Sequence, residues 1–201
     1  MDKEKPERSP ARRQRKMLQA IQDLDFQILD FIQTHLRVSF LDPVMAFFTH
    51  LGSSVTWIAV IALLLFYRRT RKDALVSGIG LLGGVIFANV ILKNLIARDR
   101  PCWIREGYPV LIGNPTDYSF PSGHTMAAVI FTVVMVRKHP KLAPVLIPIA
   151  CLIGFSRMYL YVHFPSDVLF SIATGIPLGF LTLYLEKRIR EKHSLSGRIS
   201  T

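Results

Sequence analysis

Eight residues that could handle a phosphoryl group fall in three short segments: Lys93 and Arg100 in KNLIARDRP, Ser122, Gly123 and His124 in PSGH, and Arg157, His163 and Asp167 in SRMYLYVHFPSD. Lysine and arginine carry fixed positive charge, and the planar donor fork of arginine matches phosphoryl oxygens. A histidine beside a carboxylate holds one tautomer, which leaves its other ring nitrogen free to attack. A second histidine can act as an acid. Serine and glycine at a helix start add backbone N–H groups and the favourable end of the helix dipole.

Each segment alone has a plainer explanation. The first can be basic residues snorkelling at a helix end. In the second, Pro121 and Ser122 can simply open a helix that carries an incidental histidine. In the third, His163 and Asp167 can be a structural pair at a helix corner. Gly123 resists the plain account, because glycine weakens helices and is kept where a backbone must approach something closely. The three plain readings must also hold together, and they leave unexplained why these residue types gather at one place.

That place follows from the apolar runs. The chain has 201 residues, half of them hydrophobic, with a mean hydropathy of +0.33. Uncharged or nearly uncharged stretches cover residues 51–67, 74–92, 118–136, 142–164 (interrupted by Arg157) and 168–185. Each approaches the roughly 20 helical residues that cross a bilayer core of about 30 Å, and in lipid only helices satisfy their own backbone. The expected fold is all-α, a polytopic transmembrane bundle of five spans with a possible sixth near the N-terminus.

The net charge of +11 is placed between these runs. Of 25 Lys and Arg, seven lie in residues 1–16, four in 67–73, three in 137–141 and five in 187–198. The positive-inside rule makes these segments cytoplasmic. A nucleic-acid partner is not expected, since no basic and aromatic platform lies outside the spans. The remaining basic residues are Arg37, Lys93, Arg98, Arg100, Arg105 and Arg157. All but Arg37 then gather at the opposite, extracytoplasmic face, where ionisable groups at membrane depth point to function.

Four regions are expected: a disordered basic arm over 1–16, an amphipathic helical region or extra span over 17–50, a catalytic membrane bundle over 51–188, and a basic cytoplasmic tail over 189–201. Apolar residues recur at 18, 21, 24, 28, 29, 32 and 36, a helical spacing, with Asp23, Asp25 and Asp30 on other faces. Either residues 24–47 cross with their acidic side shielded, or they lie on the outer surface with the N-terminus outside. No cleaved signal peptide is expected, for no clean apolar core precedes a small-residue cleavage site. Cys102 and Cys151 show no zinc spacing and fall too far apart in the expected fold to pair.

The ordered trio K-x6-RP, PSGH and SR-x5-H-x3-D, from Lys93 to Asp167, resembles the signature of the type 2 phosphatidic acid phosphatase family of membrane lipid phosphatases. The soluble vanadium haloperoxidases are similar in the same pocket, but the apolar spans favour the lipid-phosphatase branch. The resemblance implies that His163 attacks phosphorus, Asp167 orients it and His124 protonates the leaving oxygen. It implies that Lys93, Arg100, Ser122, Gly123 and Arg157 hold the phosphoryl oxygens, with no metal and no cofactor. Lys93 or the neighbouring Arg98 could also stabilise the charge of a leaving phosphate. The expected partners are the membrane and a lipid phosphate, first an isoprenoid diphosphate such as undecaprenyl diphosphate, then phosphatidylglycerophosphate or phosphatidate. A remote alternative is a non-catalytic phospholipid-binding or carrier protein.

Overall fold

The computed structural model describes residues 10–105, 107–108 and 110–199, and among these every regular element is helical. Helix α1 (Pro10–Phe31) runs on through a π-helical turn, Ile32–Leu36. Helices α2 (Asp42–Leu51) and α3 (Ser54–Phe66) meet at a 56° bend. Helix α4 (Arg71–Val85) passes through a π-helical stretch, Ile86–Leu92, into α5 (Lys93–Ile96). A short α6 (Pro101–Ile104) precedes the three core helices α7 (Gly123–Lys138), α8 (Ala143–Tyr159) and α9 (Pro165–Ile199).

Helix α7 is the axis, packed against α4, α8 and α9. Its residues 125–132 are all buried, so it carries no amphipathic stripe. Its neighbours come close through small residues. A Cβ on Gly179 of α9 would stand 2.7 Å from Val133, and one on Gly84 of α4 would stand 2.5 Å from Ile130. Within lipid, apolar burial gives helices no drive to associate, and such close backbone packing replaces it.

Ion pairs mark one end of the bundle. Lys138, at the end of α7, pairs with Glu186 of α9 at 2.7 Å and with Asp73 of α4 at 3.3 Å. His139 reaches the same Asp73 at 2.8 Å. Lys93, Ser122 and His163 therefore sit at the other end, at the far termini of α4–α5, α7 and α8.

By length and composition, three runs can cross a membrane: Arg71–Ile104, Pro140–Tyr159 and Pro165–Lys192. The bent pair α2 and α3 makes a fourth if it counts as one span. Helix α7 has 16 residues, about 24 Å at 1.5 Å per residue, and lies sheltered among the others.

The N-terminal region differs from one expectation. The disordered arm was expected through residue 16, yet the helix begins at Pro10. Proline suits a first turn, and the Arg, Gln and Lys that follow are good helix formers. Residues 1–9 lie outside the described residues. The apolar positions 18, 21, 24 and 28 face outward, while Asp25, Phe26, Leu29, Ile32 and Gln33 form the docked face. Gln33 donates to the Tyr159 carbonyl at 2.8 Å, and Phe26 meets Phe164 edge-on, so α1 docks at the end that carries Lys93 and His163. At the other terminus the expected basic tail is a continuation of α9, helical to Ile199.

Candidate active site

Two left-handed turns set the site residues over the end of the bundle. Helix α5 stops at Ala97, whose φ of 47° is left-handed and whose N–H returns to the Lys93 carbonyl at 2.9 Å. This conformation costs a non-glycine residue about 1–2 kcal/mol. It reverses the chain so that Arg98 and Arg100 come back toward Lys93, and Pro101 then opens α6. Tyr161, φ 59°, does the same after α8. There the N–H groups of Val162 and His163 both bond the Arg157 carbonyl at 3.2 Å, which locks His163 above the helix that carries Arg157.

The cationic wall is built from these turns. Lys93, Arg100 and Arg157 are 6 %, 2 % and 3 % exposed, far too buried for surface charges. Arg100 donates through Nη1 to the Val162 carbonyl at 2.7 Å and through Nε to the Asp117 carbonyl at 2.6 Å. The Asp117 carboxylate joins the other two groups: one oxygen takes Arg100 Nη2 at 2.6 Å and the other takes Lys93 Nζ. Burial alone would raise the carboxyl pKa of Asp117, but the hydrogen bond and charge of Lys93, then those of Arg100, outweigh it and bring it down to about 2. Arg157 donates to Thr49 Oγ1 and makes no ion pair among the described residues. Its buried Nε has no hydrogen-bond partner. A buried guanidinium without a counter-charge is costly unless an anion arrives.

His163 faces this wall. It is 1 % exposed, and its Nε2 lies 3.3 Å from Arg100 Nη1. Its Nδ1 lies 3.6 Å from Asp167 Oδ2, too long for a hydrogen bond, and has no other hydrogen-bond partner among the described residues. Asp167 is itself held: Oδ2 accepts from Ser119 Oγ and from the Phe164 N–H at 2.9 Å, and Oδ1 accepts from Arg98 Nη1 at 2.7 Å.

The PSGH segment supplies the remaining wall. Ser122 caps α7 by position, but its side chain bonds Thr125 Oγ1 at 2.9 Å and makes no cap hydrogen bond, so it leaves the first-turn N–H groups to another acceptor. Gly123 is explained by its neighbour: a Cβ there would stand 2.8 Å from Asn89 Oδ1, on the π-helical stretch before Lys93. His124 sits against the α2–α3 bend, where a Cβ on Gly52 would be 3.1 Å from its ring.

One cavity of about 820 Å³ gathers Lys93, Arg100, Gly123, His124, Arg157 and His163. Of the expected site residues, Ser122 and Asp167 are buried behind that lining. The cavity continues as a trough between α3 and α4, walled by Trp57, Ile58, Ile61, Leu65, Leu82 and Val85. Sequence reasoning missed Asp117, Asn89 and Thr49 in the lining and Ser119 behind it. Of the two cations offered for a leaving phosphate, Lys93 lines the cavity, whereas Arg98 is outside the lining and bonds Asp167 and Asp25. Among the described residues, no three His, Cys, Asp or Glu side chains are grouped to share a metal.

Residues 74–191 match the family model of the PAP2 superfamily. The chain belongs to the PAP2 superfamily. It is a membrane lipid phosphatase of the metal-independent kind. The chain is 31% identical to the undecaprenyl-diphosphatase of Sulfolobus acidocaldarius, over 85% of this chain and 84% of that one. It is 33% identical to phosphatidylglycerophosphatase B of Bacillus subtilis, over 77% and 80%. Its fold is similar to the crystal structure of a transmembrane PAP2-type phosphatidylglycerolphosphate phosphatase from Bacillus subtilis, with a TM-score of 0.70, 31% identity, and coverage of 85% of this chain and 88% of that one.

Proposed function

We propose that this PAP2 enzyme hydrolyses an isoprenoid diphosphate, of which undecaprenyl diphosphate is one, through a phosphohistidine on His163. The observation that carries the reading is the position of His163. Its Nε2 stands beside Arg100 inside the cationic cavity, with Asp167 behind Nδ1. Nε2 attacks phosphorus, and the bond from phosphorus to the leaving oxygen breaks. His124 gives that oxygen a proton. Water then cleaves the phosphorus–nitrogen bond, which releases phosphate and restores both histidines. Lys93, Arg100, Arg157 and the free N–H groups at Ser122 and Gly123 hold the equatorial oxygens, where the transition state spreads its charge. The incoming phosphate replaces the Asp117 carboxylate as counter-ion to Lys93 and Arg100, and meets the unpaired Nε of Arg157.

The trough supports a lipid with one long chain. It leads away from the cations along apolar side chains, and Ile58 and Leu82 are 70 % and 61 % exposed at its rim, where lipid would stand. A single trough suits one prenyl chain better than two acyl chains. The second reading, a phosphatidylglycerophosphate or phosphatidate phosphatase, is favoured by the likeness to the Bacillus subtilis phosphatidylglycerophosphatase B. A carrier that only binds phosphate needs the cations but has no use for two histidines and a carboxylate.

Five crossings accommodate the helices: α2 with α3, α4 with α5, α7, α8 and α9, in a cell membrane. The basic segments 67–73, 137–141 and 187–198 then lie in the cytoplasm, the site opens on the extracytoplasmic face, and α1 lies on that same face, so the basic residues of 1–16 depart from the positive-inside rule that the other three segments follow. The regions 51–188 and 189–201 serve as catalytic bundle and cytoplasmic end. Phosphate release from purified prenyl diphosphates, phosphatidylglycerophosphate and phosphatidate, in detergent with EDTA, tests the reading. The highest kcat/KM is expected on the prenyl diphosphate; a preference for the glycerolipids by tenfold or more would establish the second reading instead.

A further inference from the structure

We propose that Arg98 and Asp25 are positioning residues, a buried charge relay through which the N-terminal helix holds Asp167 in register behind His163. The proposal rests on the assignment of His163 as nucleophile and Asp167 as its orienter. Neither Arg98 nor Asp25 lines the phosphate cavity, so any effect they have must pass through the residues they touch, of which Asp167 is the one that stands behind His163.

The geometry is a chain of three charges. Arg98 donates through Nη1 to Asp167 Oδ1 at 2.7 Å and through Nη2 to Asp25 Oδ2 at 2.7 Å. The side chains of Asp167 and Asp25 are 0 % and 4 % exposed, and that of Arg98 is 18 % exposed. Ser166 ties the same atoms together. Its N–H donates to Asp25 Oδ1 at 2.9 Å, its hydroxyl donates to Asp25 Oδ2 at 2.5 Å, and the same hydroxyl accepts from Arg98 Nη1 at 2.7 Å. The guanidinium lies 3.9 Å over the ring of Phe164, the residue next to His163.

Asp167 has two oxygens with separate duties. Oδ2 faces His163 Nδ1, and Oδ1 is pinned by Arg98. A carboxylate pinned at one oxygen cannot turn the other away from the imidazole, and that restriction is what an orienting carboxylate needs. Asp25 has the complementary duty. It takes the second branch of the arginine fork, so Arg98 is held in place and part of its charge is drawn off Asp167. Without Arg98, two buried carboxylates would face each other unshielded, which disfavours both. A lysine at this position would offer a point charge without the two-branched fork.

A second clamp on the same helix supplies the control. Arg105 pairs with Asp30 at 2.8 Å and lies 3.8 Å over Phe26, docking α1 without touching Asp167. If docking of α1 were all that mattered, cutting either clamp would have the same effect.

The test is steady-state and single-turnover kinetics on the full chain in detergent, with melting temperature measured alongside. Arg98→Gln is expected to lower kcat by about 10- to 100-fold, as loss of an outer-shell partner does, with KM nearly unchanged. Arg98→Lys recovers part of that loss. Asp25→Asn, which keeps the side chain's shape and removes its charge, gives a smaller fall in kcat with KM again unchanged. Arg105→Gln keeps kcat within about twofold of the parent. The double variant Asp25→Asn/Arg98→Gln is at least as active as Arg98→Gln alone, because the facing charge is gone. Three results would overturn the proposal: a rise in KM without a fall in kcat in Arg98→Gln, a loss in Arg105→Gln equal to that in Asp25→Asn, or multiplied losses in the double variant. The underlying assignment is tested separately by His163→Ala. If that variant still forms phosphoenzyme, the nucleophile is wrong and the relay falls with it; if it is dead while Arg98→Gln is fully active, only the relay falls.

Discussion

The Asp117 carboxylate stands 2.6 Å from Arg100 Nη2, in contact with the same cationic pair that the proposed mechanism assigns to phosphate. A substrate that binds Lys93 and Arg100 must displace it. Asp117→Asn removes the competing charge, and its side chain is 56 % exposed, so solvent screening limits the gain to about two- to fivefold, the range of exposed ion pairs. The expected result is a lower inhibition constant for inorganic phosphate or vanadate by that factor. An unchanged or higher constant would show that Asp117 does not compete with the anion.

The same carboxylate has a pH signature. Its pKa is lowered to about 2 from the usual value near 3.9, so its contribution to stability is full above the unfolded value and disappears as pH falls toward 2. Melting temperature measured across that acid range should fall less steeply in Asp117→Asn than in the parent. Parallel curves would contradict the ion pairs described.

Gly123 answers to a neighbour. Gly123→Ala sets a methyl 2.8 Å from Asn89 Oδ1, the end of a side chain that must swing aside, so the cost falls at the low end of overpacking, about 1 kcal/mol. The expected outcome is a lower melting temperature and at least a tenfold fall in kcat/KM. Asn89→Ala in the same chain should restore much of both. A Gly123→Ala enzyme of full activity would mean that the close approach is irrelevant to the site.

How the chain encodes these arrangements differs between parts. The trio from Lys93 to Asp167 could be read from the sequence because each role needs a particular chemical type at a helix end. Asp117, Asn89 and Thr49 could not. Their roles come from contacts across the bundle: Thr49 meets Arg157 across 108 positions and Arg98 meets Asp25 across 73, and no local spacing records such pairs. The N-terminal helix shows a different limit. Its 3.6-residue periodicity revealed the helix, but Leu18, Ile21, Leu24 and Ile28 face outward while Asp25 docks inward. In a membrane protein, apolar side chains have two comfortable environments, so a stripe alone does not say which face meets the bundle.

The two histidines should separate by substrate. His124 lines the cavity and is assigned the leaving oxygen; general acids contribute about 10²- to 10⁴-fold, more when the leaving group is more basic. A monoester expels an alkoxide, whereas a prenyl diphosphate expels a much weaker base. His124→Ala should therefore lower kcat far more on phosphatidate or phosphatidylglycerophosphate than on a prenyl diphosphate, while His163→Ala abolishes both. Single-turnover rates make the comparison. Equal losses on both substrates would remove the leaving-group role.

Orientation can be read by labelling. With Cys102 and Cys151 replaced by serine, a cysteine at Asn114, which lines the cavity, should react with an impermeant thiol reagent in intact cells. So should one at Gln19 on the exposed side of α1. Reaction of the Asn114 position only after the cytoplasmic face is opened would invert the proposed topology.

The central claim is that a phosphoryl group passes through His163. The most direct measurement is a rapid quench of the enzyme with isotopically labelled lipid phosphate, followed by mapping of the bound label. The account predicts an alkali-stable, acid-labile phosphoenzyme on His163 that forms at the rate of the first turnover and is absent from His163→Ala. Label retained in His163→Ala, or carried by another residue in the parent enzyme, would contradict it.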